Sequence, residues 1–192
     1  MNELTNISDE KLVKGCIEDD SRSQKMLFDR YSRRMMGICL RYAANRQEAE
    51  DMMQDGWVKV FRCVNTFRFE GSVEGWIKRV MVNNCLETLR KTKMKFSDVE
   101  IETVEEMGYL QTNSSETLGS ADLLKMIHNL PAGYRSVFNL FAIEGYSHKE
   151  ISEMLTISEG TSKSQYSRAR VYLQKMVKEE KKIVSHQLPF SY

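Results

Sequence analysis

Proline is almost missing from these 192 residues: Pro131 and Pro189 are the only two. Glycine is sparse as well, ten in all. Proline breaks a helix by lacking an N–H and glycine weakens one through backbone entropy, so long stretches hold nothing that would interrupt a helix. No apolar run is long enough to span a bilayer, and no leading apolar core with a cleavage site is found, so the expected location is the cytosol. Cysteine numbers only four, at Cys16, Cys39, Cys63 and Cys85, more than twenty residues apart. That spacing lacks the C-x-x-C pairs of zinc or redox sites. The three histidines, His128, His148 and His186, are equally scattered. There is no Gly-rich phosphate loop and no carboxylate–histidine pair, so neither a metal nor a cofactor is expected, and no catalytic residue is identified. Charge of one sign is scarce too, because 28 Lys and Arg face 27 Asp and Glu for a formal net charge of +1.

What remains is helical rhythm. In "SQKMLFDRYSRRMMGICLRYA", Leu27, Tyr31, Met35, Ile38 and Tyr42 recur at helical spacing. "DEKLVKGCIED" before it reads as a short first helix, and "RQEAEDMMQDGWVKVFRCV" after it repeats the same rhythm through Ala49, Met52, Trp57 and Val60. "SVEGWIKRVMVNNCLETLRKTK" follows the loop "NTFRFEG", with Ser72 placed as a cap. Its apolar side chains spread over more than one face, which predicts neighbours on two sides. Then the character changes. No Lys or Arg lies between Lys95 and Lys125, while Asp98, Glu100, Glu102, Glu105, Glu106, Glu116 and Asp122 do. With length and composition allowing two small domains, the chain reads as all-α: a helical bundle over 1–93, an acidic flexible linker over 94–119, a second helical domain over 120–182 and a tail over 183–192.

The second domain carries the first chemical clue. "PAGYRSVFNLFAIEG" reads as one helix with Pro131 at its first position and Gly145 closing it. Ser147-x-x-Glu150 is a capping box opening a short helix, "TISEG" is a tight turn, and a longer helix follows with Tyr166, Ala169 and Leu173 on one face. Short helix, turn and longer helix make a helix-turn-helix, whose second helix enters a major groove. From Thr161 to Lys178 the only charges are Lys163, Arg168, Arg170, Lys175 and Lys178. Ser158, Glu159, Thr161, Ser162, Lys163 and Gln165 stand at its N-terminal end as candidates for base edges; Arg168 and Arg170 suit phosphates. A surface helix with an ordinary basic face is the plainer reading, and the capping box, turn and polar patch together favour DNA.

Three motifs, in order and spanning nearly the whole chain, resemble the bacterial RNA polymerase sigma factors of the extracytoplasmic-function (ECF) type. "EAEDMMQDGWVKVF" is similar to that family's A-E-D-x-x-Q-[ED]-x-[FW] helix. The resemblance implies that this helix docks on the clamp helices of the largest polymerase subunit through Asp51, Gln54 and Asp55. "FRFEGSVEGWIKRVMVNNCLETLRK" is similar to the loop and helix that recognise and open the −10 element. A base leaving its stack needs an aromatic shelf and a cationic track. Phe67 and Phe69 supply the first here, with Arg68, Lys78, Arg79, Arg90 and Lys91 for the second; Trp76, at helical spacing, is more often core. Asn83 either hydrogen-bonds DNA or caps a neighbouring loop. "LPAGYRSVFNLFAIEGYSHKEISEMLTISEGTSKSQYSRAR" resembles the −35-binding domain. Ser162 and Gln165 stand where the family commonly has Val and Arg, choices similar to the Bacteroidetes branch. The implied partners are core RNA polymerase, through its clamp helices and flap, promoter DNA, double-stranded at −35 and single-stranded at −10, and an anti-sigma factor as a candidate. The acidic linker is expected to thread the polymerase channel or to serve as a tether. The rival reading is a stand-alone helix-turn-helix transcriptional regulator, which would need a sensor domain that the N-terminal pattern lacks.

Overall fold

A computed structural model describes residues 7–96 and 120–186, and divides the chain into two compact units, Met1–Val99 and Glu100–Tyr192. Every regular element among the described residues is helical. The bulk of the expected linker and the last six residues of the expected tail lie outside the described residues.

In the first unit, α1 (Asp9–Ile17), α2 (Ser21–Tyr42), α3 (Arg46–Cys63) and α4 (Val73–Phe96) form a bundle. Short polar side chains start each helix. Ser8 accepts from the Lys11 N–H, Asp20 from those of Arg22 and Ser23, Asn45 from that of Glu48, and Ser72 from that of Gly75. Each such cap is worth about 1 kcal/mol. The apolar stripes meet inside, with Leu12, Leu27, Met35, Met52, Ile77 and Met81 fully buried. Burial of each contributes roughly 1.5–3 kcal/mol against exposure. The two-sided apolar pattern of α4 has its reason in packing, since α4 lies against both α2 and α3.

The α3–α4 contact is unusually close at Gly56, which is buried. A Cβ there would run into Sδ of Met81 and lie 3.6 Å from Nδ2 of Asn84. Asn84, only 2% exposed, donates to the Met52 carbonyl at 2.7 Å. The missing side chain therefore lets a buried amide on one helix reach the backbone of the other.

The second unit holds α5 (Ser120–His128), α6 (Ala132–Phe138), α7 (His148–Leu155) and α8 (Glu159–His186). Met126 of α5 and Ala169 and Leu173 of α8 form a buried cluster with Leu130, and Tyr134 and Phe138 of α6 pack against it. Two expectations need correction here. Pro131 is the residue before the helix rather than its first: its ψ of 141° is extended, and its carbonyl accepts the first helical bond, from Arg135 N–H at 2.9 Å. The helix also does not run unbroken to Gly145. At Asn139–Ile143 it widens into a π-turn, where the Glu144 N–H reaches back five residues to the Asn139 carbonyl at 2.9 Å. Gly145, with φ of +82°, then ends the segment as expected. Finally, α8 continues through His186, four residues into the stretch read as tail.

Candidate nucleic-acid interface and acidic face

On α3, Asp51, Gln54 and Asp55 are all exposed while Met52, Gly56 and Trp57 are buried, so the three acceptors share an outward face. Gln47 donates to Asp51 at 3.2 Å along the same face. Val58 stands seven residues after Asp51 and is 42% exposed, placing an apolar side chain inside this polar strip. Beside it, the rings of Phe28 and Phe61 flank buried Trp57 at 5.1 and 5.5 Å. Sequence reasoning passed over Val58 and Phe28 because an apolar residue at helical spacing reads as core; the i+7 relation to Asp51 was the available signal.

After α3 comes a 3-10 turn, Val64–Thr66, and then the loop to Ser72. The two loop phenylalanines are placed differently. Phe67 is 8% exposed, with ring centroids 4.9 Å from Phe69 and 5.6 Å from Trp76. Expected as a surface for bases, it is instead nearly buried, with Trp76 and Phe69 covering it. Phe69 is 43% exposed and holds a left-handed backbone with φ of +59°, a conformation that costs a non-glycine residue roughly 1–3 kcal/mol. The Lys14 ammonium of α1 lies 6.0 Å over its ring. Arg68 is exposed beside it, and Trp76 is half-buried.

Along α4, Arg79, Asn83 and Arg90 are exposed and fall on one stripe by helical spacing; Lys78 is half-buried. Lys91 is exposed but engaged, 2.7 Å from Glu87, which also receives Lys59 at 2.5 Å. The Lys59 hydrogen bond, then that of Lys91, holds the Glu87 carboxyl down to about 2. Lys91 is raised in turn by Glu87, so its charge is partly answered within the protein. Asn83 and Asn84 line an open cleft of about 360 Å³ with Lys59, Arg62, Cys63 and Glu87. The inter-helix bond belongs to Asn84, one residue on, which leaves Asn83 facing outward.

In the second unit, both halves of the capping box form: Ser147 Oγ accepts the Glu150 N–H, and Glu150 accepts the Ser147 N–H at 2.8 Å. The turn bends at Thr156, left-handed with φ of +56°. Ser158 then caps α8, accepting the Thr161 N–H at 2.9 Å while its hydroxyl meets that of Thr161 at 2.8 Å. Both are thus engaged in starting the helix. Glu159 pairs with Lys163 at 2.7 Å in an exposed bridge, and the Lys163 hydrogen bond is the main cause of a lowered Glu159 carboxyl. Gln165 is half-buried, its amide packed over Gly133 closely enough that a Cβ there would come within 3.5 Å. Arg168 is exposed, and the Arg170 guanidinium lies 5.9 Å over the Tyr166 ring.

Ser162 requires outright correction. It is 0% exposed and cannot touch a base edge; its Oγ lies 2.9 Å from Nδ1 of His148. The reason is helical phase. Residues 162, 166, 169 and 173 form the inward stripe of α8, whereas Gly160, Ser164 and Ser167 are exposed on the outward one.

Comparison with known proteins follows this division. Residues 27–94 match the family Sigma-70 region 2, and residues 120–173 match Sigma-70, region 4. The ECF RNA polymerase sigma factor SigM of Mycobacterium tuberculosis is 25% identical over 170 residues, 88% of this chain and 85% of that protein. The ECF RNA polymerase sigma-E factor of Haemophilus influenzae is 25% identical over 182 residues, 89% and 96% of the two chains. The RNA polymerase sigma-H factor of Pseudomonas aeruginosa is 27% identical over 183 residues, 90% and 95%. Among solved structures, the fold is similar to that of the sigma factor RpoE in complex with the anti-sigma factor NepR from Bartonella quintana. There the TM-score is 0.57 at 22% identity, over 80% of this chain and 96% of that one. CnrH in complex with the cytosolic domain of CnrY gives 0.52 at 18%, over 89% and 97%.

Proposed function

The chain belongs to the sigma-70 family as a sigma factor of the ECF type, and from that premise we propose how its residues divide the work. As an alternative sigma factor it binds core RNA polymerase and directs it to promoter DNA for transcription initiation. On our reading residues 1–93 hold the polymerase and the −10 element, 94–119 form the tether, and 120–182 read the −35 element. It acts as a binding protein without catalysis, in the cytoplasm; among the described residues no helix is long and apolar enough to cross a membrane.

The observation that carries the assignment of the polymerase face is the outward strip Asp51, Gln54 and Asp55 on a helix whose opposite side is buried. Clustered acceptors suit Arg-rich partner helices such as those of the polymerase clamp, because guanidinium pairs with carboxylate in a fixed fork. For the −10 element, Phe69 supplies an outer aromatic shelf backed by Phe67 and Trp76, and Arg68, Arg79 and Arg90 supply the cationic track. Lys78, Asn83 and Lys91 flank that track. For the −35 element, Lys163 and Glu159 stand nearest the base edges, with Arg168 and Arg170 on phosphates. Because two structural neighbours are complexes with the anti-sigma factor NepR and with the cytosolic domain of CnrY, an anti-sigma partner is proposed here also.

The test is co-elution of the purified chain with sigma-free core polymerase, wild type against Asp51→Ala/Gln54→Ala. Stable co-elution that the double variant loses supports the assignment. Equal co-elution of both would move the clamp contact elsewhere on the bundle.

A further inference from the structure

One side chain in the second unit joins three elements and has no part in the roles above. His148 opens α7, directly after the Ser147 cap. Its ring lies flat on Phe141 of the π-turn, 4.3 Å between centroids at 11°, and edge-on to Tyr166 of α8 at 6.0 Å. Its Nδ1 meets the hydroxyl of fully buried Ser162 at 2.9 Å. The ring therefore ties the entry helix of the helix-turn-helix to the inward stripe of the helix read as entering DNA.

We propose that His148 is a positioning residue for −35 recognition, seating α8 by accepting the buried Ser162 hydroxyl proton at Nδ1, so that protonation of the imidazole unseats the helix and weakens −35 binding. The inference rests on the reading of α8 as the DNA helix. Its chemistry is a matter of donors and acceptors. A neutral imidazole offers one acceptor nitrogen and a charged one offers none. Once Nδ1 carries a proton, the Ser162 hydroxyl must turn its own elsewhere inside a closed site. The carbonyl one turn back, that of Ser158, accepts the Ser162 N–H at 3.0 Å and would have to take the hydroxyl proton as well, a back-bond that bends and weakens a helix.

From α7, Lys149 stands next in sequence, and the Glu150 carboxylate is held in the capping box by Ser147. From α8, the Glu159 carboxylate senses both His148 and Lys149 while bridged to Lys163, and Tyr166 presents a ring edge. From the π-turn comes the uncharged Phe141 ring, and Glu144 closes that turn. A charge on His148 would act on Glu159 as well, whose bridge to Lys163 lies at the start of α8. Seat and reading surface thus respond to the same proton.

Histidine is the side chain that ordinarily changes charge between about pH 5 and 8, which sets the experiment. Holoenzyme made from the full chain and core polymerase is first used to select promoter duplexes from a randomised library at pH 7.5. Affinity for the selected duplex is then measured from pH 8 to pH 5.5 with wild type, His148→Asn, which keeps an acceptor without titrating, and Ser162→Val, which removes the hydroxyl. Wild-type affinity is expected to fall about five- to tenfold on acidification beyond the fall of either variant, the effect of one buried hydrogen bond. A wild-type profile parallel to both variants would overturn the role of His148 while leaving α8 as the DNA helix. Selection of duplexes with no preferred −35 sequence would overturn the reading of α8 itself. Nitrogen chemical shifts of the His148 ring in the free chain add an independent check: a proton on Nδ1 at neutral pH refutes the acceptor role.

Discussion

Replacing Gly56 by Ala tests whether the first unit is built on the close α3–α4 approach. In an isolated helix the change is favourable by about 1 kcal/mol. Here the new methyl would enter the space of Met81, lying 3.1 Å from Cε and in hard overlap with Sδ, and 3.6 Å from the Asn84 amide. Met81 is fully buried, so its flexible end has little room to retreat, and overpacking of this kind costs about 1–3 kcal/mol. Separation of the helices would also strain the 2.7 Å bond from Asn84 to the Met52 carbonyl, and a buried polar group left unsatisfied costs about 1–3 kcal/mol. The losses outweigh the propensity gain. Gly56→Ala should destabilise the unit by about 1 kcal/mol net, with a larger loss if the Asn84 bond breaks.

Both tryptophans, Trp57 and Trp76, belong to the first unit, so tryptophan fluorescence in urea follows this unit alone in the intact chain. A loss of 1 kcal/mol moves the midpoint down by roughly 0.5–1 M. The sharper test is a double-mutant cycle with Met81→Ala. With the thioether removed, Gly56→Ala should turn from destabilising to stabilising, a coupling of about 2 kcal/mol. If Gly56→Ala stabilises the wild-type background by its full helix propensity and the coupling vanishes, steric closeness is not what glycine supplies there.

Asn84→Ala should cost the first unit about 0.5–1.5 kcal/mol in the same urea assay, because the buried Met52 carbonyl loses its inter-helix donor and keeps only the one within α3. Thr156→Gly should stabilise the second unit by about 0.5–1 kcal/mol, read from circular dichroism melting, by relieving a left-handed β-branched residue; an unchanged or lowered midpoint would refute strain at that turn. The Glu87 carboxyl is lowered in the folded state, so its bridge to Lys59 and Lys91 contributes above its ordinary value of 4.5 and is lost as pH falls toward about 2. Glu87 is nearly half exposed, so solvent screening limits that contribution to about 1 kcal/mol, and Glu87→Gln should flatten the stability profile in that window alone.

Helices and their order were legible because periodicity and caps are local signals. Leu27, Tyr31, Met35 and Ile38 announced α2, and Ser147 with Glu150 announced α7. What sequence could not supply was which faces meet and how near. The reason for a glycine inside α3 is visible only with Met81 and Asn84 opposite it. Phe67 and Phe69 have the same chemistry and differ only through a backbone angle and the rings that cover one of them. The π-turn at Asn139–Ile143 has no signature in composition, since it differs from an α-helix by one hydrogen-bond register. Candidates for DNA contact were gathered by residue type; Ser162 fell among them because a hydroxyl suits a base edge and a buried partner equally.

That sorting bears on how the second unit can contribute specificity. Of the six polar candidates at the start of α8, Ser158 and Thr161 are engaged in the cap, Ser162 is buried and Gln165 rests over Gly133. Glu159 and Lys163 remain, joined to each other, with small residues around them that allow close approach to a groove. Base-edge readout worth about 1–3 kcal/mol per bidentate contact cannot, from so few groups, reach the affinity of a stand-alone regulator. On the proposed division of work, tethering to a polymerase already held at a second promoter element removes that demand, because the second contact then forms at the effective concentration set by the linker. With a net charge of +1 the chain as a whole draws DNA weakly, so the nonspecific hold of the second unit rests on the cations of α8 itself.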